Sequence, residues 1–212
     1  MNKDFAHKTA QILIETKSVL FNAEQPFIFR SGRKSPVYVD CRRLISFAEE
    51  RSILMDMAAE TLKDLPVDCF AGGETAGIAY AALIAERLNK PMVYVRKEPK
   101  GYGRQAQIEG ALTEDKKPRT ILVEDLQTDG GSKKTFIDAL RKADCVVDHT
   151  FVIFHYGIYP QSLETMKSLG VSLNALADWW EVLETAKKGN YFDTKTLGVV
   201  ENYLNAPESW AA

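Results

Sequence analysis

From residue 67 onward, apolar runs of strand length alternate with amphipathic stretches of helix length. Residues 67–71 are an apolar run that ends in Gly72-Gly73, and residues 78–88 form an Ala-rich stretch closed by Asn89, Lys90 and Pro91. Residues 92–95 read as a second strand and Ile121-Leu122-Val123 as a third, buried one. The spacing predicts a helix over 132–142, with Phe136, Ile137 and Leu140 facing inward, and a strand over 146–154. A helix over 161–169, a strand over 171–176 and helices near 178–187 and 194–204 follow. Few folds satisfy such a pattern. Strands separated by helices of ten or more residues join as βαβ units, so the sheet is mostly parallel, flanked by helices, and offers ligands the carboxyl ends of its strands. Before residue 67, helical spacing covers 3–21 and 48–64, and Ser31-Gly32 marks a turn between two short strands, the second over 37–39. Residues 96–107 lack apolar periodicity and are broken by Pro99, Gly101 and Gly103, which predicts a loop; residues 207–212 read as a frayed tail.

Composition narrows the class further. The chain has 212 residues, 45% of them apolar and 26% charged, which is globular rather than disordered and enough for one domain over 1–212 with its own core. A net charge of −2 gives no general attraction to nucleic acid or an anionic membrane, so any phosphate binding must be local. Cys41, Cys69 and Cys145 are odd in number and far apart, which suits a reducing compartment, and no run approaches the roughly 18 apolar residues of a membrane span. The N-terminus leads into an amphipathic stretch rather than a signal peptide, so a cytoplasmic location is expected. His7, His149 and His155 are dispersed and predict no metal held by the protein itself.

The segment Glu124-Asp125-Leu126-Gln127-Thr128-Asp129-Gly130-Gly131-Ser132 carries the clearest chemistry. An apolar strand runs into two acids, and a turn of Thr, Gly and Ser then opens a helix. Glycines let backbone wrap round an oxyanion, and a helix start presents unpaired N–H groups and a positive dipole end. The spacing is not that of a Walker A loop. Acids beside a phosphate cradle repel a polyphosphate but accept hydrogen bonds from a diol, so the polarity fits a ribose 5-phosphate. A second segment, Arg96-Lys97-Glu98-Pro99-Lys100-Gly101-Tyr102-Gly103-Arg104, sets four cations against one anion and suits a lid over a polyanion. Gly72-Gly73-Glu74-Thr75-Ala76-Gly77 is a strand-to-helix turn able to bind an anion through backbone N–H groups, and it is not a dinucleotide fingerprint. Arg33 and Lys34, in Arg30-Ser31-Gly32-Arg33-Lys34-Ser35-Pro36, read as a solvated hairpin tip.

Taken in order, these motifs resemble the type I phosphoribosyltransferases, and within them the orotate phosphoribosyltransferases, over roughly residues 25–135. The acid pair and turn resemble that family's signature for 5-phosphoribosyl 1-diphosphate (PRPP). The 96–104 segment resembles its catalytic loop, with Tyr102 where many members have His. The resemblance implies the type I phosphoribosyltransferase fold, an α/β architecture with a small N-terminal hood built from about residues 1–45 and C-terminal segments. It implies that Lys100, Lys97, Arg96 and Asp125 are catalytic. It also implies PRPP binding by Arg96, Lys97, Lys100, Tyr102, Arg30, Thr75 and Ala76, and by the run from Glu124 and Asp125 through Leu126, Gln127, Thr128, Asp129, Gly130 and Gly131 to Ser132. Orotate is expected on Thr128 and Tyr38, and Mg²⁺ as the cofactor, held mainly through the diphosphate and water. Some orotate enzymes carry a base-binding Arg just after the strand equivalent to 146–154; this chain reads Phe154-His155-Tyr156-Gly157 there. His155, Tyr156, Arg42 and Arg43 are the candidates to replace it.

The resemblance implies Mg²⁺-dependent transfer of the phosphoribosyl group from PRPP to orotate, in a homodimer whose loop reaches the neighbouring site. A phosphoribosyltransferase for another base and a PRPP-binding regulator on the same fold are the alternatives. The loop cations and the lack of residues for a winged-helix module favour the enzyme.

Overall fold

A computed structural model of the chain describes residues 1–29, 32–99, 107–112 and 117–210. Arg30, Lys100, Tyr102 and Arg104 lie outside the described residues.

A six-stranded sheet organises the molecule. Its strands are β5 (Cys69–Gly73), β6 (Met92–Val95), β7 (Ile108–Glu109), β8 (Thr120–Gln127), β9 (His149–His155) and β10 (Ser172–Asp178), numbered after four short strands nearer the N-terminus. Their order is β10-β9-β8-β5-β6-β7, and every pairing is parallel except that of β7 with β6. The expected parallel α/β architecture is therefore present. Side chains alternate between two cores, as the pleat requires. Phe70, Ile121 and Val123 pack on one face, with helices α1 (Lys3–Glu15), α2 (Ala48–Leu62), α3 (Ala76–Arg87), α6 (Trp179–Gly189) and α7 (Thr194–Asn205). Cys69, Ala71, Leu122, Val93 and Val95 pack on the other, with α4 (Lys133–Lys142) and Met166 of α5 (Pro160–Leu169). Burial on both faces explains why these strands read as continuous apolar runs.

The connection order matters for function. The chain steps from β5 to β6 on one side, then returns to place β8 on the other side of β5. Strand order thus reverses between β5 and β8, and a crevice opens at their carboxyl ends, where open α/β sheets bind ligands. Both glycine-containing turns singled out in the sequence, after Gly73 and after Gln127, emerge there.

Three sequence expectations change. Residues 3–21 are not one helix: α1 ends at Glu15, the chain turns through Lys17 at φ 54°, and β1 (Val19–Phe21) follows. Val, Leu and Phe suit a half-buried strand, and β1 pairs with β4 (Val37–Val39). The hairpin about Gly32 consequently joins β2 (Phe27–Ile28) to β3 (Lys34–Ser35), not to residues 37–39. The tail is anchored as far as Trp210, whose ring meets Tyr203 edge-on at 5.5 Å. No helix among the described residues is long and apolar enough to cross a membrane.

Candidate active site

A cavity of about 750 Å³ occupies the crevice at the switch point. One end is built by β8. This strand does not stop at the acid pair but runs through Glu124 and Asp125 to Gln127. Glu124, Asp125 and Leu126 all reach the cavity wall, followed by Thr128, Asp129 and Ser132 of the turn. Gly130 sits at φ 82°, a conformation that costs a glycine nothing, and it allows the tight turn into α4. The Asp129 carboxylate accepts from the Gly131 N–H at 3.0 Å, which pins the turn before α4 begins.

The two acids differ in environment. Glu124 forms an ion pair at 2.5 Å with Lys133, whose side chain is 1% exposed at the first turn of α4. Gly73 leaves room for it: a Cβ there would lie 2.9 Å from the Glu124 Cγ. Among the described residues, no cation forms such a pair with Asp125. Burial, reinforced by the charge of Glu124, pushes its carboxyl above the usual range, while the Leu126 N–H and Arg42 pull the other way. A half-buried anion of this kind gains from any positive charge brought into the cavity.

The turn after β5 closes a second side. Thr75 and Ala76 line the cavity, and the Glu74–Thr75 peptide bond is cis. The Glu74 carboxylate accepts from the Lys97 N–H at 2.8 Å, so the root of the cationic segment is tied to this turn. The Lys97 side chain lines the cavity. Arg96 does not: its backbone N–H donates to the Gln107 carbonyl at 2.8 Å, and its buried Nε has no hydrogen-bond partner among the described residues.

Aromatic side chains form another part of the cavity wall. Phe29, Tyr38, Tyr156 and Tyr159 make it up, with Tyr156 and Tyr159 stacked at 6.1 Å and 17°. Flat, apolar walls of this kind suit a planar ring.

Comparison with known proteins places the chain. No protein-family model matches it. It is 50% identical over 212 residues to the orotate phosphoribosyltransferase of Roseobacter denitrificans, spanning 98% of this chain and 93% of that one. It is 51% identical over 211 residues to that of Dinoroseobacter shibae, spanning 98% and 92%. The chain belongs to the orotate phosphoribosyltransferase family. Its structure is similar to the orotate phosphoribosyltransferase from Aeropyrum pernix, with a TM-score of 0.71 and 31% identity over 87% of this chain and 99% of that one. It is also similar to Leishmania donovani UMP synthase, with a TM-score of 0.80 and 25% identity over 93% of this chain and 42% of that one. The type I phosphoribosyltransferase fold expected from the motifs is the fold observed.

Against this family frame, most of the expected residues converge on the cavity, and a few do not. Tyr38, Thr75, Ala76, Lys97 and the segment from Glu124 to Ser132 meet there, except for Gln127, Gly130 and Gly131. Gln127 turns into the core: its Nε2 donates to Ser162 Oγ at 2.7 Å and its carbonyl accepts from the Tyr156 N–H. Of the replacements considered for the base-site Arg, Arg42 and Tyr156 line the cavity. Arg43 donates to the Thr16 carbonyl, and His155 faces Ser162, its imidazole shifted to lower pKa chiefly by burial. Two residues escaped the sequence reading. Lys133 reads as one of two surface lysines at a helix start, and nothing local marks it as buried. Arg33 is exposed, as expected of a hairpin tip, and it also lines the cavity beside the aromatic residues, which nothing in its local sequence marks.

Proposed function

We propose that this chain transfers the 5-phosphoribosyl group from PRPP to orotate, releasing diphosphate and forming orotidine 5′-phosphate for pyrimidine synthesis. One observation carries the reading: a single crevice at the switch point is lined both by the acid pair with its phosphate-type turn and by a group of aromatic side chains. That is the polarity of a ribose 5-phosphate joined to a planar base. The curated relatives, named orotate phosphoribosyltransferases, support the choice of base.

In this reading the 5-phosphate lies in the turn from Thr128 to Ser132, on the N–H groups at the start of α4. Asp125 accepts from the ribose hydroxyls, and Glu124, held by Lys133, presents its second oxygen beside it. As the anomeric bond breaks, positive charge grows on the ribose and negative charge on the diphosphate. Asp125 and Glu124 face the first, and Lys97 faces the second. Lys100, Arg96, Tyr102 and Arg30 are assigned to the diphosphate by the resemblance alone. Tyr38 flanks the base, and Thr128, at the start of the turn, is assigned to the base by the resemblance alone. The loop over 96–104 excludes water from the cationic sugar, in a homodimer where it serves the neighbouring site.

Mg²⁺ fits the donor set. Asp125 and Asp129 offer hard carboxylate oxygens at the cavity wall, and the ion binds readily through one or two carboxylates together with substrate phosphates. When bound it would neutralise the diphosphate. We assign the chain to the cytoplasm as one catalytic domain, with residues 1–45 and the C-terminal segments as its hood.

The test is direct. The protein is mixed with Mg²⁺ and PRPP and given orotate, uracil, hypoxanthine, adenine or nicotinate in turn, and diphosphate release is followed. Release with orotate alone is expected; release with a purine instead of orotate would overturn the reading.

A further inference from the structure

We propose that Arg33 is the residue that selects a carboxylate-bearing base, taking the role of a cation that the segment after β9 does not supply. The inference rests on the function proposed above and names a specificity determinant within that site.

Orotate differs from uracil by one ring carboxylate, so discrimination needs a cation at the base end of the cavity. Among the described residues, the cations lining the cavity are Arg33, Arg42 and Lys97. Lys97 sits at the exit of β6, and its N–H is bound to Glu74 beside the turn after β5. Arg42 is already engaged, donating to Asp40 at 3.2 Å, and its charge is felt by both Tyr38 and Asp125. Neither Glu124 nor Asp125 is among the groups that act on Arg33. Its guanidinium carbon lies 5.0 Å from the centre of the Tyr159 ring, its side chain hydrogen-bonds Tyr159, and Tyr203 and Glu208 add to its electrostatic surroundings. Tyr159 is itself fixed on both sides, stacked on Tyr156 and joined at 2.8 Å to the Tyr203 hydroxyl of α7. The guanidinium is therefore docked against the wall proposed to flank the base.

The chemistry suits the task. A guanidinium is planar, always charged and presents paired N–H donors that match a carboxylate. Stacked beside a ring system, it can meet the carboxylate of a base lying along the same aromatic wall.

The experiment uses two ligands that differ only in the carboxylate. Affinities of the full-length protein for orotidine 5′-phosphate and uridine 5′-phosphate are measured by calorimetry, for the wild type and for Arg33→Ala and Arg33→Lys. Arg33→Ala is expected to cut the preference for orotidine 5′-phosphate about ten- to a hundredfold, as the loss of a charged hydrogen-bonded pair would. Uridine 5′-phosphate affinity should stay unchanged, and Arg33→Lys, keeping charge without the fork, should fall between. A preference that survives Arg33→Ala overturns the proposal, as does an equal loss for both ligands, which would mark a structural role. A wild type that binds both nucleotides but prefers neither overturns the orotate reading as well, and one that binds neither overturns the whole assignment of the site.

Discussion

At the scale of single residues, the acid pair shows how one strand end supports two different carboxylates. Glu124 is compensated by Lys133, and Asp125, with no such ion pair among the described residues, is the one assigned to the ligand in the proposed reaction. Because burial raises the Asp125 carboxyl, the folded protein holds that proton more tightly than the unfolded chain does. Stability therefore falls as pH rises past the unfolded carboxylate range, and the penalty is complete above the raised folded value. Asp125→Asn should accordingly increase Tm at neutral pH, with the gain vanishing at acid pH below about 3.9, and should weaken PRPP binding about ten- to a hundredfold through lost charged hydrogen bonds. Thermal scans across pH and calorimetry check the two halves. Lys133→Met makes the converse prediction. It strands Glu124 without its cation and should cost about 3–5 kcal/mol, whereas the double variant Lys133→Met/Glu124→Gln should recover part of that loss. Denaturant melts of the two single variants and the double variant measure the coupling.

At the scale of elements, the site depends on how closely α3 approaches the sheet. A Cβ on Gly77 would lie 2.2 Å from the Val123 carbonyl oxygen, so only glycine lets α3 start directly above β8. That contact holds the turn after β5 beside the acid pair. Gly77→Ala should destabilise the protein by at least about 1–3 kcal/mol by overpacking, lowering Tm by about 2–4 °C per kcal/mol. It should also raise KM for PRPP by displacing Thr75 and Ala76. The sequence showed the glycine but not its reason, because a requirement for close approach is set by the partner strand. The same holds for β1, where the apolar spacing of 3–21 concealed a break that pairing with β4 makes worthwhile.

At the scale of the whole molecule, the proposed loop exchange between subunits has a distinctive consequence. Lys100→Ala should lose about 10²–10³ in turnover, as removal of one preorganised charge does, with Tm unchanged. When this variant is mixed and subunits exchanged with Asp125→Asn, activity should reappear, because one site of each hybrid receives an intact loop from one chain and an intact acid pair from the other. A mixture that stays inactive, although sedimentation shows hybrids, would place the loop over its own subunit's site. The fold class was legible in the sequence because strand burial and helix periodicity are local and repeat along the chain. So were the acid pair, its glycine turn and the Lys97 segment, whose residue types announce their chemistry at fixed spacing. The sequence by itself determined the parallel architecture and the phosphate end of the site. Tyr38 and Tyr156 were singled out from the sequence, but only the tertiary structure set Phe29 and Tyr159 in the same wall, since the residues come from segments distant along the chain. It also decided which cations matter: Lys133 is buried against Glu124 and Arg33 is docked on Tyr159, because burial and charge pairing belong to contacts between segments distant along the chain.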